Sequence, residues 1–141
     1  MSLREVLEAA QRLARKTDAD ATPWDSRILL AHAIGARGPL ALDPGSEVAP
    51  GERARFEALW GRRLMGVPVQ HLLGEWDFYG RAFSVDSRAL VPRPETELLV
   101  TAALAEAPDV RRILDAGTGS GVLAVTLLLE RPSAQAVACD S

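Results

Sequence analysis

The sequence predicts an α/β protein in two parts, a small helical N-terminal domain and the start of a parallel-sheet domain that stops after its second strand. Three observations predict it. Apolar residues recur at helical spacing through the first 65 positions, an aromatic-rich stretch around Gly80 has the pattern of a hairpin, and residues 112–140 read as strand, glycine-rich turn, helix and strand. The expected domains are residues 1–67, a hairpin and linker over 68–94, and the opening of the sheet domain over 95–141.

The first helix is announced by Ser2 and Glu5, spaced three apart as a capping box requires. Leu3, Val6, Leu7, Ala10, Leu13 and Ala14 follow as one apolar face. Thr22 is the expected N-cap of a second helix, with Pro23 at its first position, where the missing N–H costs nothing. Trp24, Ile28, Leu29 and Ala31 should point inward, and Gly35 should end the helix. Gly-Pro and Pro-Gly pairs at 38–39, 44–45 and 50–51 mark a connection with room for one short helical turn. A third helix is expected from about Gly51 to Met65, with Phe56, Leu59, Trp60 and Leu64 on one side. Arg53, Arg55, Arg62 and Arg63 read as its solvated face, with Glu52 and Glu57 nearby.

Beyond Pro68 the pattern changes. Trp76 to Val85 alternates in part and holds a glycine at the turn position, so it reads as a β-hairpin. Val91-Pro92-Arg93-Pro94 should be extended, because each proline disfavours helix in the residue before it. A helix from about Glu95 to Ala107 should bury Leu98, Leu99, Ala102 and Ala103. Arg112 to Ala116 and Gln135 to Asp140 are the expected strands, parallel and linked by a helix over Val122 to Arg131.

Composition sets limits. The chain has 141 residues, is 48% hydrophobic and 25% charged, and carries a net charge of −3, so its balance is that of a globular protein and not of a phosphate-backbone binder. Cys139 is the sole cysteine, which excludes an internal disulfide and a cysteine-based zinc site and points to a reducing cytoplasm. Glu5, Glu8, Asp18 and Asp20 argue against a transit peptide, and no run approaches the ~18 apolar residues of a membrane helix. His32 and His71 read as satisfied or surface histidines.

The sharpest feature is Asp115-Ala116-Gly117-Thr118-Gly119-Ser120-Gly121 between the first strand and its helix. Alternating glycines allow a tight turn and let a ligand lie against bare backbone, while the helix offers its free N–H groups. Asp140, 25 positions after Asp115, stands where an acid would accept hydrogen bonds from a ribose diol. Two ligand classes compete. Gly119, Gly121 and Ala124 satisfy the dinucleotide spacing G-x-G-x-x-A, a weak match by itself. The acid-x-G-x-G-x-G pattern fits without slack, and its carboxylate would repel a pyrophosphate but stabilise an ammonium or a sulfonium. That favours S-adenosylmethionine.

Leu73-Gly74-Glu75-Trp76-Asp77-Phe78-Tyr79-Gly80, then Leu90-Val91-Pro92-Arg93-Pro94-Glu95-Thr96-Glu97-Leu98-Leu99-Val100, resembles the signature of the release-factor glutamine methyltransferases. Pro68 to Gly74 fits the run that precedes it, and Asp77 stands where relatives often have Glu. The resemblance covers essentially the whole chain. It implies a helical domain that helps hold a peptide-chain release factor, joined by a hairpin to a Rossmann-like class I methyltransferase domain that uses S-adenosyl-L-methionine. Gly117, Thr118, Gly119, Ser120, Gly121 and Asp115 would line the cofactor and Asp140 would bind its ribose. Arg93 and Thr96, in the Pro-Arg-Pro-Glu-Thr-Glu segment, would lie beside that pocket; Arg93 reads equally as a structural donor tying the linker to the domain. The Asn-Pro-Pro-Tyr loop with which the family grips its glutamine does not occur in this sequence, so no catalytic residue is assigned. The implied enzyme is a cytoplasmic protein-glutamine methyltransferase of which these 141 residues alone would be inactive. No nucleic acid, membrane or metal is expected. An adenine-directed methyltransferase and a non-catalytic binding module are the alternatives. With only two parallel strands, the second domain is expected to fray or to need a partner.

Overall fold

A computed structural model describes residues 1–17 and 19–140; Asp18 and Ser141 lie outside the described residues. The chain divides into two compact units, Met1–Leu73 and Gly74–Ser141.

The first unit contains α1 (Leu3–Thr17), α2 (Pro23–Ile34), a 3-10 turn (Pro39–Ala41), α3 (Pro50–Leu64) and α4 (Val69–Leu73). Its helix starts were legible. Glu5 accepts the Ser2 N–H at 2.7 Å and the Ser2 hydroxyl at 2.9 Å, and these bonds hold its carboxyl below the ordinary glutamate value. At α2 the Thr22 and Asp25 side chains exchange bonds with each other's backbone N–H at 3.1 and 2.9 Å, completing a capping box. Gly35 ends α2 at φ 69°. Ala49 has no side-chain acceptor to offer α3, and Glu52 reaches back to its N–H at 2.9 Å.

The core of this unit gathers Leu3, Val6, Leu7, Ala10 and Ala14 of α1 with Leu29, Leu30 and Ala33 of α2 and Phe56 and Trp60 of α3. Leu59 and Leu64 pack against it as expected. Two expected core residues do not. Leu13 flanks the α1 stripe and is exposed, and Trp24 is exposed because α2 turns the line Ser26, Leu29, Leu30, Ala33 inward instead. Since α2 is apolar over most of its circumference, periodicity did not select its face.

The arginines of α3 also depart from expectation. Arg55 donates twice to the carbonyl of Ala33, at 3.1 and 2.9 Å, so it ties α3 to the end of α2. Arg63 pairs with Asp25 at 3.1 Å, both side chains only 14% and 16% exposed, and also donates to the Asp20 carbonyl. Only Arg53, paired with Glu57, and the exposed Arg62 behave as a solvated face. Arg63→Ala is therefore expected to destabilise this unit by about 1 to 3 kcal/mol, since it leaves a half-buried carboxylate short of its partner. Urea denaturation followed by circular dichroism measures it, and a change within ~0.5 kcal/mol, the surface-substitution range, would return Arg63 to the solvated face.

Residues 69–73 form α4 where the hairpin segment was expected to begin, because Val69 and Leu72 find cover in the helical core. His71, on this short helix, is half-buried and not satisfied: its Nε2 is buried with no hydrogen-bond partner among the described residues. His32 is exposed.

The second unit holds β1 (Glu75–Phe78), β2 (Arg81–Ser84), α5 (Thr96–Glu106), β3 (Arg112–Ala116), α6 (Val122–Glu130) and β4 (Gln135–Cys139). It carries two separate two-stranded sheets, antiparallel β1–β2 and parallel β3–β4. The hairpin turns through Tyr79 and Gly80 at φ 51° and 72°, the paired positive values of a tight two-residue turn. Tyr79 tolerates this conformation while its N–H donates to Glu97 on α5 at 2.8 Å. Phe78 packs edge-on to Phe83 and, with Val100 and Val122, forms a small core. Val100 and Leu104 thus form the inward face of α5, whereas Leu98, Leu99 and Ala102 are exposed. The polar residues of the helix, Glu97, Thr101 and Glu106, are spread around its axis, so its sequence could not choose between faces.

Leu114 of β3 and Val137 of β4 are 71% and 65% exposed. Strands with so little cover open locally at low cost. Amides of β3 and β4 are expected to exchange before those of Leu29 and Leu30 in α2, measurable by hydrogen exchange; equal protection in both units would refute this. No described helix is long and apolar enough to cross a membrane.

Candidate cofactor site

The site is assembled by strand register. Ala116 pairs with Cys139, so the residues that follow, Gly117 and Asp140, leave the two parallel strands at the same end. The Cys139 carbonyl accepts the N–H groups of Gly117 at 2.8 Å and Thr118 at 3.1 Å, which bends the chain sharply over the end of β4. Gly117, Gly119 and Gly121 take φ values of 76°, 55° and 78°, a left-handed run that side chains resist. A Cβ added at Gly117 or Gly119 would meet nothing within 4 Å, so the bare backbone faces open space.

Two carboxylates converge on this turn. Asp115 Oδ2 accepts the Thr118 hydroxyl at 2.8 Å and the Ala124 N–H, in the first turn of α6, at 3.2 Å. Asp140 Oδ2 accepts the Gly119 N–H at 2.6 Å. Negative charge at the start of α6 is favoured by the helix dipole, and here Asp115 already supplies it.

A cavity of about 300 Å³ adjoins the turn, at the small end of the range for ligand pockets. Gly119 and Ser120 form one wall, and the segment after the hairpin, from Ser84 to Leu90, forms the other. Sequence reasoning missed this second wall. Its one signal was local: Asp86 accepts the Arg88 N–H at 2.9 Å and grips its guanidinium at 2.5 Å, the arrangement of an Asx turn that stiffens the segment. The hydrogen bonds that Arg88 donates to Asp86, then the Asp86 charge, raise the pKa of Arg88 above the ordinary value. Arg93 and Thr96 are not among the lining residues. Arg93 is exposed. Thr96 opens α5, with its N–H on the Arg93 carbonyl at 3.0 Å.

Comparison with known proteins places this arrangement in context. Residues 5–74 match the family model described as the PrmC N-terminal domain. A release factor glutamine methyltransferase of Neisseria gonorrhoeae is 47% identical over 117 residues, 82% of this chain and 43% of the relative. Proteins of the same name from Deinococcus radiodurans and Cereibacter sphaeroides are 41% and 43% identical over 99% of this chain, and 51% and 50% of their own lengths. The chain spans about half the length of the curated relatives it matches. Helical unit, hairpin and motif all lie within the last two alignments, which cover 99% of the chain, and the chain belongs to the release factor glutamine methyltransferase family.

Proposed function

We propose that this chain forms the release-factor-holding and cofactor-binding portion of a protein methyltransferase that modifies the side-chain amide of the glutamine in the Gly-Gly-Gln motif of release factors. Residues 74–140 would be the opening of a Rossmann-like domain that binds S-adenosyl-L-methionine, and the helical unit would contact the release factor. The observation that carries the reading is the Asp115 carboxylate at the N-terminus of α6. In dinucleotide-binding folds that position receives a pyrophosphate, which a fixed carboxylate would repel. A cationic ligand is drawn to the same charge.

The residues present fit that ligand. Bare backbone at Gly117 and Gly119 admits close approach, and Asp140 stands at the end of β4 to accept hydroxyl donors. The wall from Ser84 to Leu90 would keep water off one side. When bound, S-adenosylmethionine supplies a methyl carbon made electrophilic by its sulfonium. An amide nitrogen is a weak nucleophile, so the glutamine must be held by acceptors for its two N–H groups. No Asn-Pro-Pro-Tyr segment that would do so is present in this sequence, and the assignment is confined to binding.

The test is calorimetric titration with S-adenosylmethionine and, separately, with NAD⁺. Binding of the first and not the second is expected; the reverse preference would replace this proposal with a dinucleotide site.

A further inference from the structure

The N-cap of α6 is Gly121, which has no side chain to offer the first helical N–H groups. Asp115 performs that task from the end of β3, reaching the Ala124 N–H at 3.2 Å. The same oxygen accepts the Thr118 hydroxyl at 2.8 Å, and Thr118 in turn accepts the Gly121 N–H on its carbonyl at 2.9 Å. One carboxylate oxygen thereby links the strand, the middle of the turn and the first turn of the helix. From the β4 side, the Cys139 carbonyl and Asp140 hold Gly117, Thr118 and Gly119 through their N–H groups.

We propose that Asp115 and Thr118 are positioning residues, which set the glycine turn in its ligand-accepting shape before any ligand arrives. The Thr118 hydroxyl is committed to Asp115 and serves the ligand indirectly. Three left-handed glycines give the turn large freedom when unfolded or loose, so an unpinned turn must be ordered at the expense of binding. The inference rests on the S-adenosylmethionine reading for the identity of the ligand only; presetting of the turn belongs to the ligand-free chain.

The experiment compares Thr118→Val, Thr118→Ser and Asp115→Asn by amide hydrogen exchange without ligand, then by titration with S-adenosylmethionine. Thr118→Val should lower the protection of the Gly121 and Ala124 amides about tenfold, the scale of one lost charge-assisted bond. Thr118→Ser should restore it, and Asp115→Asn, whose amide oxygen can still accept both bonds but without the charge, should fall only part of the way. The Val100 amide in α5 reports whether the unit remains folded and should be unchanged. Affinity should follow the same order, with a loss of about tenfold in Thr118→Val. Unchanged exchange in Thr118→Val together with weakened binding would overturn the inference, because it would make the hydroxyl a direct ligand contact. Unchanged exchange and unchanged binding would overturn it as well. The expected exchange pattern with no binding by any form would support the pinned turn and count instead against the proposed cofactor.

Discussion

Asp140→Ala is expected to reduce affinity for S-adenosylmethionine by more than about a hundredfold, because two losses coincide. A carboxylate that accepts from a ribose diol makes charge-assisted hydrogen bonds, each of about 1.5 to 3 kcal/mol. Asp140 also holds the Gly119 N–H at 2.6 Å, so the substitution slackens the turn that the ligand would lie against. Asp140→Asn separates the two. Its amide oxygen can still accept from Gly119, but the charge is gone, and an intermediate loss of about tenfold is expected. Calorimetric titration of the three forms measures both effects. Equal affinity in Asp140→Ala and the parent chain would remove Asp140 from the site and with it the ribose-binding assignment.

The glycine turn was legible in the sequence because its parts belong to one strand–turn–helix–strand unit of regular spacing. Asp115 acts within nine residues, and the parallel register of β3 with β4 brings Cys139 and Asp140 to the same end of the sheet as the glycines. Helix starts were legible because Ser2 with Glu5 and Thr22 with Asp25 act over three residues. What escaped reading depended on contacts between separate elements that no such spacing announces. Arg55 and Arg63 look like surface charge until Ala33 and Asp25 are placed beside them, 22 and 38 positions away. The Ser84–Leu90 wall has no composition that marks it, and only its position against Gly119 and Ser120 gives it meaning. Helices α2 and α5 failed differently. Polar residues are scattered around both, Asp25, Arg27 and His32 on α2 and Glu97, Thr101 and Glu106 on α5, so neither carries one apolar stripe and their inward faces were fixed by their neighbours.

The helical unit should be most sensitive at Trp60, where Trp60→Ala is expected to cost about 3 to 5 kcal/mol. The indole is buried, it stacks on Phe56 with ring centroids 6.1 Å apart, and its Nε1–H donates to the Ala10 carbonyl of α1 at 3.1 Å. Truncation therefore removes a large apolar body and a buried hydrogen bond at the contact between α1 and α3. Stability for about 70 residues is typically about 4 to 10 kcal/mol, so the variant stands near the limit of folding. Trp60→Phe keeps most of the ring volume and loses the donor, and should cost about 1 to 3 kcal/mol, from the smaller ring and the lost second hydrogen bond to the Ala10 carbonyl, which keeps its partner within α1. Thermal melts followed at 222 nm should thus show a fall of roughly 4 to 8 °C per kcal/mol, larger for Ala than for Phe. A Trp60→Ala melt within about 4 °C of the parent would mean that this contact adds less than about 1 kcal/mol. In that case the helices would be held mainly by the aliphatic stripe of Leu3, Leu7, Leu29 and Leu30. The expected order, Ala well below Phe and Phe below the parent, follows because Trp60 supplies both apolar area and a directed bond where α3 meets α1.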